Sequence, residues 1–377
     1  MGGISWSLVT LLFCCGLPSG DAGNVLGPWW SRTAPRTSHI EGAIVNINNR
    51  MYSFGGFNFS SFQATSSLYI YDPSSDTWSD GKEGPLAVSH CQGATDGERY
   101  LWIAGGFVGN SPGVATNQRS STVVLDSSSG PDLPRARASS ATVFDPVGRR
   151  LHLMGGLLVD RLTDLDEHLV LDASEPSSWG TFIAIRREWT ILSQPIPTKR
   201  NHFQFSNKRT QAVYLRDSLY LIGGQQGHDE ELKDLAVLER YDLESESWHE
   251  VESMPAARSH MEATLLVVND RIVVPGGRQN SQKQKHTDTV FEYEPYCGRS
   301  TCWSSLRPLP YVMDSATGVF FPNISVTRDG KTLTGDFIFL SSGRTRRKIR
   351  PESVVPDSWM TRVKFREDAA VPTKLRP

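Results

Sequence analysis

Leu-Tyr-Leu-Ile-Gly-Gly occupies residues 219–224, and the same construction, an apolar strand ending in a glycine pair, recurs along the chain. It reads Met-Tyr-Ser-Phe-Gly-Gly at 51–56, Leu-Trp-Ile-Ala-Gly-Gly at 101–106, Leu-His-Leu-Met-Gly-Gly at 151–156 and Arg-Ile-Val-Val-Pro-Gly-Gly at 271–277. The pairs are Gly55–Gly56, Gly105–Gly106, Gly155–Gly156, Gly223–Gly224 and Gly276–Gly277, and a degenerate sixth copy ends at Ser342–Gly343. Their first members, taken with Ser342, lie 50, 50, 68, 53 and 66 residues apart. A length of 377 residues would by itself suggest two domains. A diglycine in register at a period of about fifty points instead to one repetitive domain.

Further marks recur at fixed places. A second strand follows each glycine pair, as in Leu-Tyr-Ile-Tyr-Asp (68–72), Thr-Val-Val-Leu-Asp (122–126), His-Leu-Val-Leu-Asp (168–172) and Leu-Glu-Arg-Tyr-Asp (238–242). Then comes a Trp, followed by a Pro in Trp78/Pro85, Trp248/Pro255 and Trp303/Pro310; Trp189 marks the third copy. The second copy has no Trp between Asp126 and Pro134, so an abbreviated outer strand is expected there.

In these marks the chain resembles the kelch family over residues 30–365. The resemblance implies an all-β, six-bladed propeller, each blade a four-stranded sheet. Glycines serve the crowded inner turns, where φ is positive, and tryptophans cover the diverging rim. Trp359–Phe365 follows Gly343 too closely to be an outermost strand, so it reads as a third strand, which the segment around Trp30 would complete. Such closure removes exposed sheet edges. The expected blades are 36–84, 85–134, 135–197, 198–255, 256–310 and 311–365 with 28–34. They make one domain over 23–367, with a tail at 368–377.

Residues 4–17, Ile-Ser-Trp-Ser-Leu-Val-Thr-Leu-Leu-Phe-Cys-Cys-Gly-Leu, are uncharged and mostly apolar. The stretch is short for a membrane span but fits the core of a signal peptide covering 1–22, with small residues at Gly20 and Ala22 for cleavage. No Lys or Arg precedes Arg32, so an uncleaved anchor stays open, and only then would the protein meet a membrane. The expected compartment is the secretory pathway, either outside the cell or in the Golgi lumen. Cys297 and Cys302 enclose four residues and can bridge a tight hairpin there; two free thiols are the other reading. Cys91 reads as a small buried hydrophobe. Asn58 and Asn323 begin glycosylation sequons.

The loops after the diglycines are long and most of the turns on the opposite face are short, so the elaborated face is the expected binding face. At the starts of the innermost strands Arg36, His39 and Glu41 recur as His90 and Gln92, as Arg137, and as Arg258, His260 and Glu262. Strand alternation would project His39 with Glu41, His90 with Gln92 and His260 with Glu262, leaving Ile40, Cys91 and Met261 to pack between blades. Two readings stand. Polar residues line propeller channels for structural reasons, or these form a cup for a polyhydroxylated or acidic ligand. Arg200, His202 and Arg209 supply a less regular fourth set. The basic run Arg344–Arg350 lies on the same face and reads as a solvated loop, a polyanion site or a proprotein-convertase site.

Near-balanced charge, with 39 Lys+Arg against 41 Asp+Glu, excludes a basic nucleic-acid-binding protein. No P-loop, GxSxG, HExxH or paired CxxC occurs, so no catalytic residue, metal ligand or cofactor is assigned. The copper-radical site of galactose oxidase does not carry over, nor does the acid/base pair of a sialic-acid mutarotase. The chain also resembles plant-type kelch proteins of the secretory pathway through 93–106, 219–227, 259–263 and 358–365. The resulting expectation is a monomeric, non-catalytic protein that binds a glycan or protein. The alternative is a carbohydrate-active enzyme, an epimerase, mutarotase or oxidase, using the same cup.

Overall fold

The computed structural model describes residues 23–366 apart from 59–62, 109–116, 119–120, 125–128, 175–187, 202–214, 216, 228–231, 262, 281–282, 284, 348–349 and 355–356. The expected signal (1–22) and tail (368–377), with His202, Arg209 and Glu262, lie outside the described residues. The described part is an all-β propeller without an α-helix.

The first blade orders Ala43–Ile47, Arg50–Phe54, Leu68–Asp72 and Thr77–Asp80 from the centre outward. The second uses Gly93–Thr95, Leu101–Ala104, Ser121–Val124 and Ser129–Asp132. Its outer strand has four residues, as many as that of the first blade, so the expected abbreviation is absent. The third uses Ala141–Asp145, Arg150–Met154, His168–Asp172 and Thr190–Ile191, and the fifth Leu266–Val268, Arg271–Pro275, Val290–Tyr293 and Trp303–Leu306. In the fourth, Ser218–Ile222, Leu238–Asp242 and Ser247–Val251 are described. A further sheet runs Thr317–Arg328, Lys331–Ser341 and Ser358–Arg366, and the last of these also pairs with Gly23–Leu26 and Trp30–Arg32.

Two-residue hairpins join inner strands where Asn48, Asn49, Asn269 and Asp270 all take φ between 51° and 58°. That geometry suits the twist of paired strands and favours Asn and Asp. The glycine pairs do what their residue type permits: Gly105 has φ +77°, and a Cβ there would lie 2.4 Å from the Arg137 carbonyl oxygen. The close approach has a purpose, since the next amide, that of Gly106, donates to that oxygen at 2.9 Å. The same link joins Gly56 to Val88, Gly156 to Arg200, Gly224 to Arg258 and Gly277 to Met313. Each diglycine thus ties its own blade to the next.

Apolar side chains fill the seams. Val45 and Phe54 meet Cys91 and Ile103; Tyr220 and Ile222 meet Met261 and Ile272. Ile44, Met51 and Tyr71 of the first blade pack on Val319, Phe337 and Phe339 of the sheet containing 317–366. Ile40, Cys91 and Met261 are buried as expected, and burial pushes the Cys91 thiol up to about 12. At the rim the indole N–H groups of Trp78, Trp189 and Trp303 donate to the carbonyls of Thr33, Pro131 and Glu252 on the neighbouring outer segments. Trp248 packs at a tilt on Tyr241 of its own blade, the ring centres 5.1 Å apart.

Cys297 and Cys302 form a disulfide, with Cα atoms 5.6 Å apart. Asn323 is exposed at a bulge in the long 317–341 hairpin; Asn58 lies in the short strand Phe57–Asn58, its side chain outside the described set.

Candidate functional site

The described parts of the long loops form a crown of short strands at the starts of the innermost strands. His39–Ile40 pairs with Phe57–Asn58, which pairs with Gln63–Ala64, and Val88–Ser89 pairs with Phe107–Val108, which pairs with Asn117–Gln118. Further hairpins pair Gln225–Gln226 with Lys233–Asp234, Arg278–Asn280 with Lys285–His286, and Arg344–Arg347 with Arg350–Val354.

At the base of the crown the backbone turns through left-handed residues: Glu41 (φ 58°), His90 (53°), Ser139 (51°), His260 (53°) and Ser315 (48°). The amide of His90 donates to the Glu41 carbonyl at 2.8 Å, that of Ser139 to His90 at 2.7 Å, and that of Ser315 to His260 at 2.8 Å. These bonds establish which residues are equivalent. Glu41, and not His39, is the counterpart of His90 and His260. The left-handed turn also breaks strand alternation, so the expected pairings of His39 with Glu41 and His90 with Gln92 do not hold. Gln92 is buried two residues beyond the turn at His90.

Two positions earlier lie His39, Val88, Arg137, Arg200, Arg258 and Met313. Arg137 and Arg258, expected in the cup, are turned into their blades, with no exposed surface. Arg258 donates to the carbonyls of Val274 at 3.3 Å, Gly276 at 2.9 Å and Thr289 at 3.0 Å. Its guanidinium lies 4.0 Å from the centre of the Phe291 ring. Arg137 bonds Gly155 O at 3.2 Å and the Glu167 carboxylate; Arg200 bonds Leu221 O at 3.3 Å and Glu239 at 2.7 Å. These arginines hold the diglycine strands of the third, fourth and fifth blades to their outer neighbours and are not available to a ligand. Burial lowers Arg200 and Arg258 to about 10 against the pull of Glu239 and Asp288. His39 fills the same slot, stacked on Tyr69 at 5.5 Å, and burial lowers it to about 4. Arg36 stands outside, 77% exposed, 3.3 Å from Asp80.

The charged groups that do converge come from several blades. Glu41 Oε2 lies 2.8 Å from His90 Nε2, and Glu41 Oε1 3.5 Å from Arg344 Nη2. Arg344 Nε donates to Asp314 Oδ1 at 3.0 Å and Nη2 to Ser315 Oγ at 2.9 Å. The other Asp314 oxygen accepts Arg278 Nε–H at 2.6 Å and lies 3.2 Å from His286 Nδ1. Burial alone would raise the Asp314 carboxyl; Arg344, Arg278 and His286 hold it far below the usual carboxylate range. His260 sits apart, its Nδ1 2.8 Å from Ser259 Oγ, which donates to Asp234.

Buried aromatic and apolar residues adjoin this cluster at His90. Phe57 stacks on His90 at 5.8 Å, Phe107 meets it edge-on at 5.1 Å, and Phe107 packs with Ala138 and Leu157. Sequence reasoning missed Asp314, Arg278 and His286, and saw Arg344 only as part of a basic run. A signal existed. Phe57, Phe107, Leu157, Gln225, Arg278 and Arg344 each follow a diglycine or its degenerate copy directly, so this one position is apolar in the first three copies and charged in the last two.

The described residues contain no cluster of His, Cys, Asp and Glu able to hold a metal ion. The kelch motif profile matches residues 42–85 and 208–255. A kelch repeat-containing protein of Arabidopsis thaliana is 25% identical over 364 residues, covering 89% of this chain and 76% of that protein. Kelch-like protein terF of Aspergillus terreus is 23% identical over 316 residues, covering 80% of this chain but 62% of its own length. The solved structure of YjhT superposes with a TM-score of 0.52 over 71% of this chain and 84% of that one, at 15% identity. With the diglycine register and the observed blades, these likenesses make the chain a kelch-repeat β-propeller protein.

Proposed function

We propose that this protein is a non-catalytic binding propeller of the secretory pathway that holds a glycan or protein ligand at the crown. The observation that carries the reading is the convergence of Glu41, His90, Asp314, Arg278 and Arg344, with Phe57 and Phe107 packed against His90 at its edge. Kelch-repeat propellers are typically binding proteins, and a mouth with charged and aromatic sides suits a ligand bearing hydroxyls or carboxylates on an apolar ring face. The disulfide supports an oxidising compartment.

The same reading takes the 317–366 sheet as a sixth blade, closed by the N-terminal strands. Support comes from the Trp30↔Met360 and Leu26↔Val363 pairings and from the apolar seam onto the first blade. The test of function is a glycan array probed with the purified chain and with Arg344→Gln. Binding that the substitution abolishes fits the proposal; binding indifferent to it places the ligand elsewhere. The contact between His90 and Glu41 is the one observation favouring a sugar-active enzyme. NMR of hexoses and sialic acids with the protein tests it, accelerated anomer exchange being the positive result.

A further inference from the structure

Gly23 opens the strand Gly23–Leu26 and pairs with Arg366. Beside it, on the third strand of the fifth blade, Glu292 is 2% exposed. This carboxylate accepts the Asn24 backbone N–H at 3.2 Å and the Asn24 side-chain amide at 2.5 Å. Arg271 Nη1 is 3.9 Å from it and makes a closer contact, 2.8 Å, with Glu294. A buried carboxylate held by amides and a distant guanidinium keeps part of its desolvation cost uncompensated. Burial accordingly raises the Glu292 carboxyl above the usual range, against the opposing pull of Asn24 and Arg271.

A Cβ built on Gly23 would stand 2.9 Å from Glu292 Oε2. That point is one of the tetrahedral substituent positions of the glycine Cα. A side-chain carbon there would sit inside van der Waals contact and force the carboxylate to shift. An ammonium nitrogen can, since 2.9 Å is the length of a charge-assisted N–H···O bond. In a chain whose first residue is Gly23, turning about Cα–C by one staggered step, about 120°, carries the free amino group to that position. Glycine, with only hydrogens elsewhere on Cα, makes the turn freely. A crevice lined by Gly23, Asn24, Glu292, Arg299, Trp303 and Arg366 adjoins the group. While residue 22 remains attached, the nitrogen is an uncharged amide fixed in the chain.

We infer that hydrolysis of the Ala22–Gly23 peptide bond creates an ammonium group that pairs with Glu292 and locks the N-terminal strand to the fifth blade. The cut consumes one water: the C–N bond breaks, Ala22 leaves as a carboxylate, and the Gly23 amine is protonated near neutral pH. The protease is of the signal-removing class, and this step rests on the secretory reading above; the ion pair itself does not. Processing would then bring a second, closer cation to the buried carboxylate beside Arg271.

Three chains test the pair, each released from a cleavable tag: one starting at Gly23, one starting at Ala22, and one starting at Gly23 with Glu292→Gln. The Gly23 chain is expected to melt about 2–4 °C above the Ala22 chain. Its α-amine should also react with an acylating reagent about tenfold more slowly, as an amine held by an ion pair does. Glu292→Gln should erase both differences; if that variant does not fold, the Gly23 and Ala22 chains alone decide. Equal melting and equal acylation overturn the ion pair. Intact mass of the chain secreted from cells reports processing separately. A start at Gly23 supports the site, another start overturns it, and an uncut chain overturns the secretory reading while leaving the result on the recombinant chains standing.

Discussion

Glu41 and His90 belong to neighbouring blades, and the carboxylate Oε2 of one lies 2.8 Å from the ring Nε2 of the other. Both residues are buried, and a backbone bond from the His90 amide to the Glu41 carbonyl runs beside the side-chain contact. Removing the carboxylate leaves His90 and Arg344 facing one another without their shared anion. Glu41→Ala is therefore expected to cost about 3 kcal/mol in urea unfolding. A loss within error of zero would show that the contact does not hold the blades together.

Two arginines that look alike in sequence should behave differently. Arg258 is fully buried with its guanidinium on three backbone carbonyls, and Arg258→Ala should cost about 3 kcal/mol or more. Lysine cannot reproduce the planar fork, so Arg258→Lys should recover little. Arg36 is exposed with a surface ion pair to Asp80, and Arg36→Ala should change stability by less than about 0.5 kcal/mol. Equal losses at the two sites would contradict these roles.

His152 and His168 share one hydrogen bond, 2.9 Å between His152 Nδ1 and His168 Nε2, inside the third blade and against Tyr241. Burial pushes His152 well below its ordinary value and His168 to about 3, aided in His152 by His168 and Arg150 and in His168 by Arg150. The folded state keeps both rings neutral while the unfolded chain takes up protons below about pH 6.5. Their contribution to stability is complete above that pH and falls as the pH drops towards the folded values, on the order of 1 kcal/mol per unit for each ring. A His168→Phe variant should show a shallower decline in melting temperature between pH 6.5 and 4.5. An unchanged slope would assign the acid sensitivity to other groups.

Glycines separate in the same manner. Gly105 has positive φ and faces the Arg137 carbonyl, whereas Gly298, inside the disulfide loop, has nothing within 4 Å of an added Cβ. Gly105→Ala should destabilise by more than about 2 kcal/mol, and Gly298→Ala should be neutral or slightly stabilising. Thermal unfolding of both variants beside the wild type checks the contrast.

The diglycine strands were legible because their constraint is local. A tight turn at positive φ that brings the backbone within bonding distance of the next blade strongly favours glycine, so the residue type records the geometry. Ser342, with φ 57°, marks the same place in the sixth copy. The rim tryptophans and the Cys297–Cys302 hairpin were readable for similar reasons of size and spacing. The candidate site was not readable in the same way. Matching His39 to His90 by residue type misplaced one blade, since the left-handed turn falls at Glu41 and puts His39 in the arginine slot. Whether a guanidinium enters a channel or a blade depends on which carbonyls are left open to it. Asp314, Arg278 and Arg344 meet only because separate blades converge on one axis. The sequence alone settled where the backbone must turn. Which charges share a buried space was decided by the tertiary structure, because that follows from long-range hydrogen bonds that leave no periodic mark in the chain.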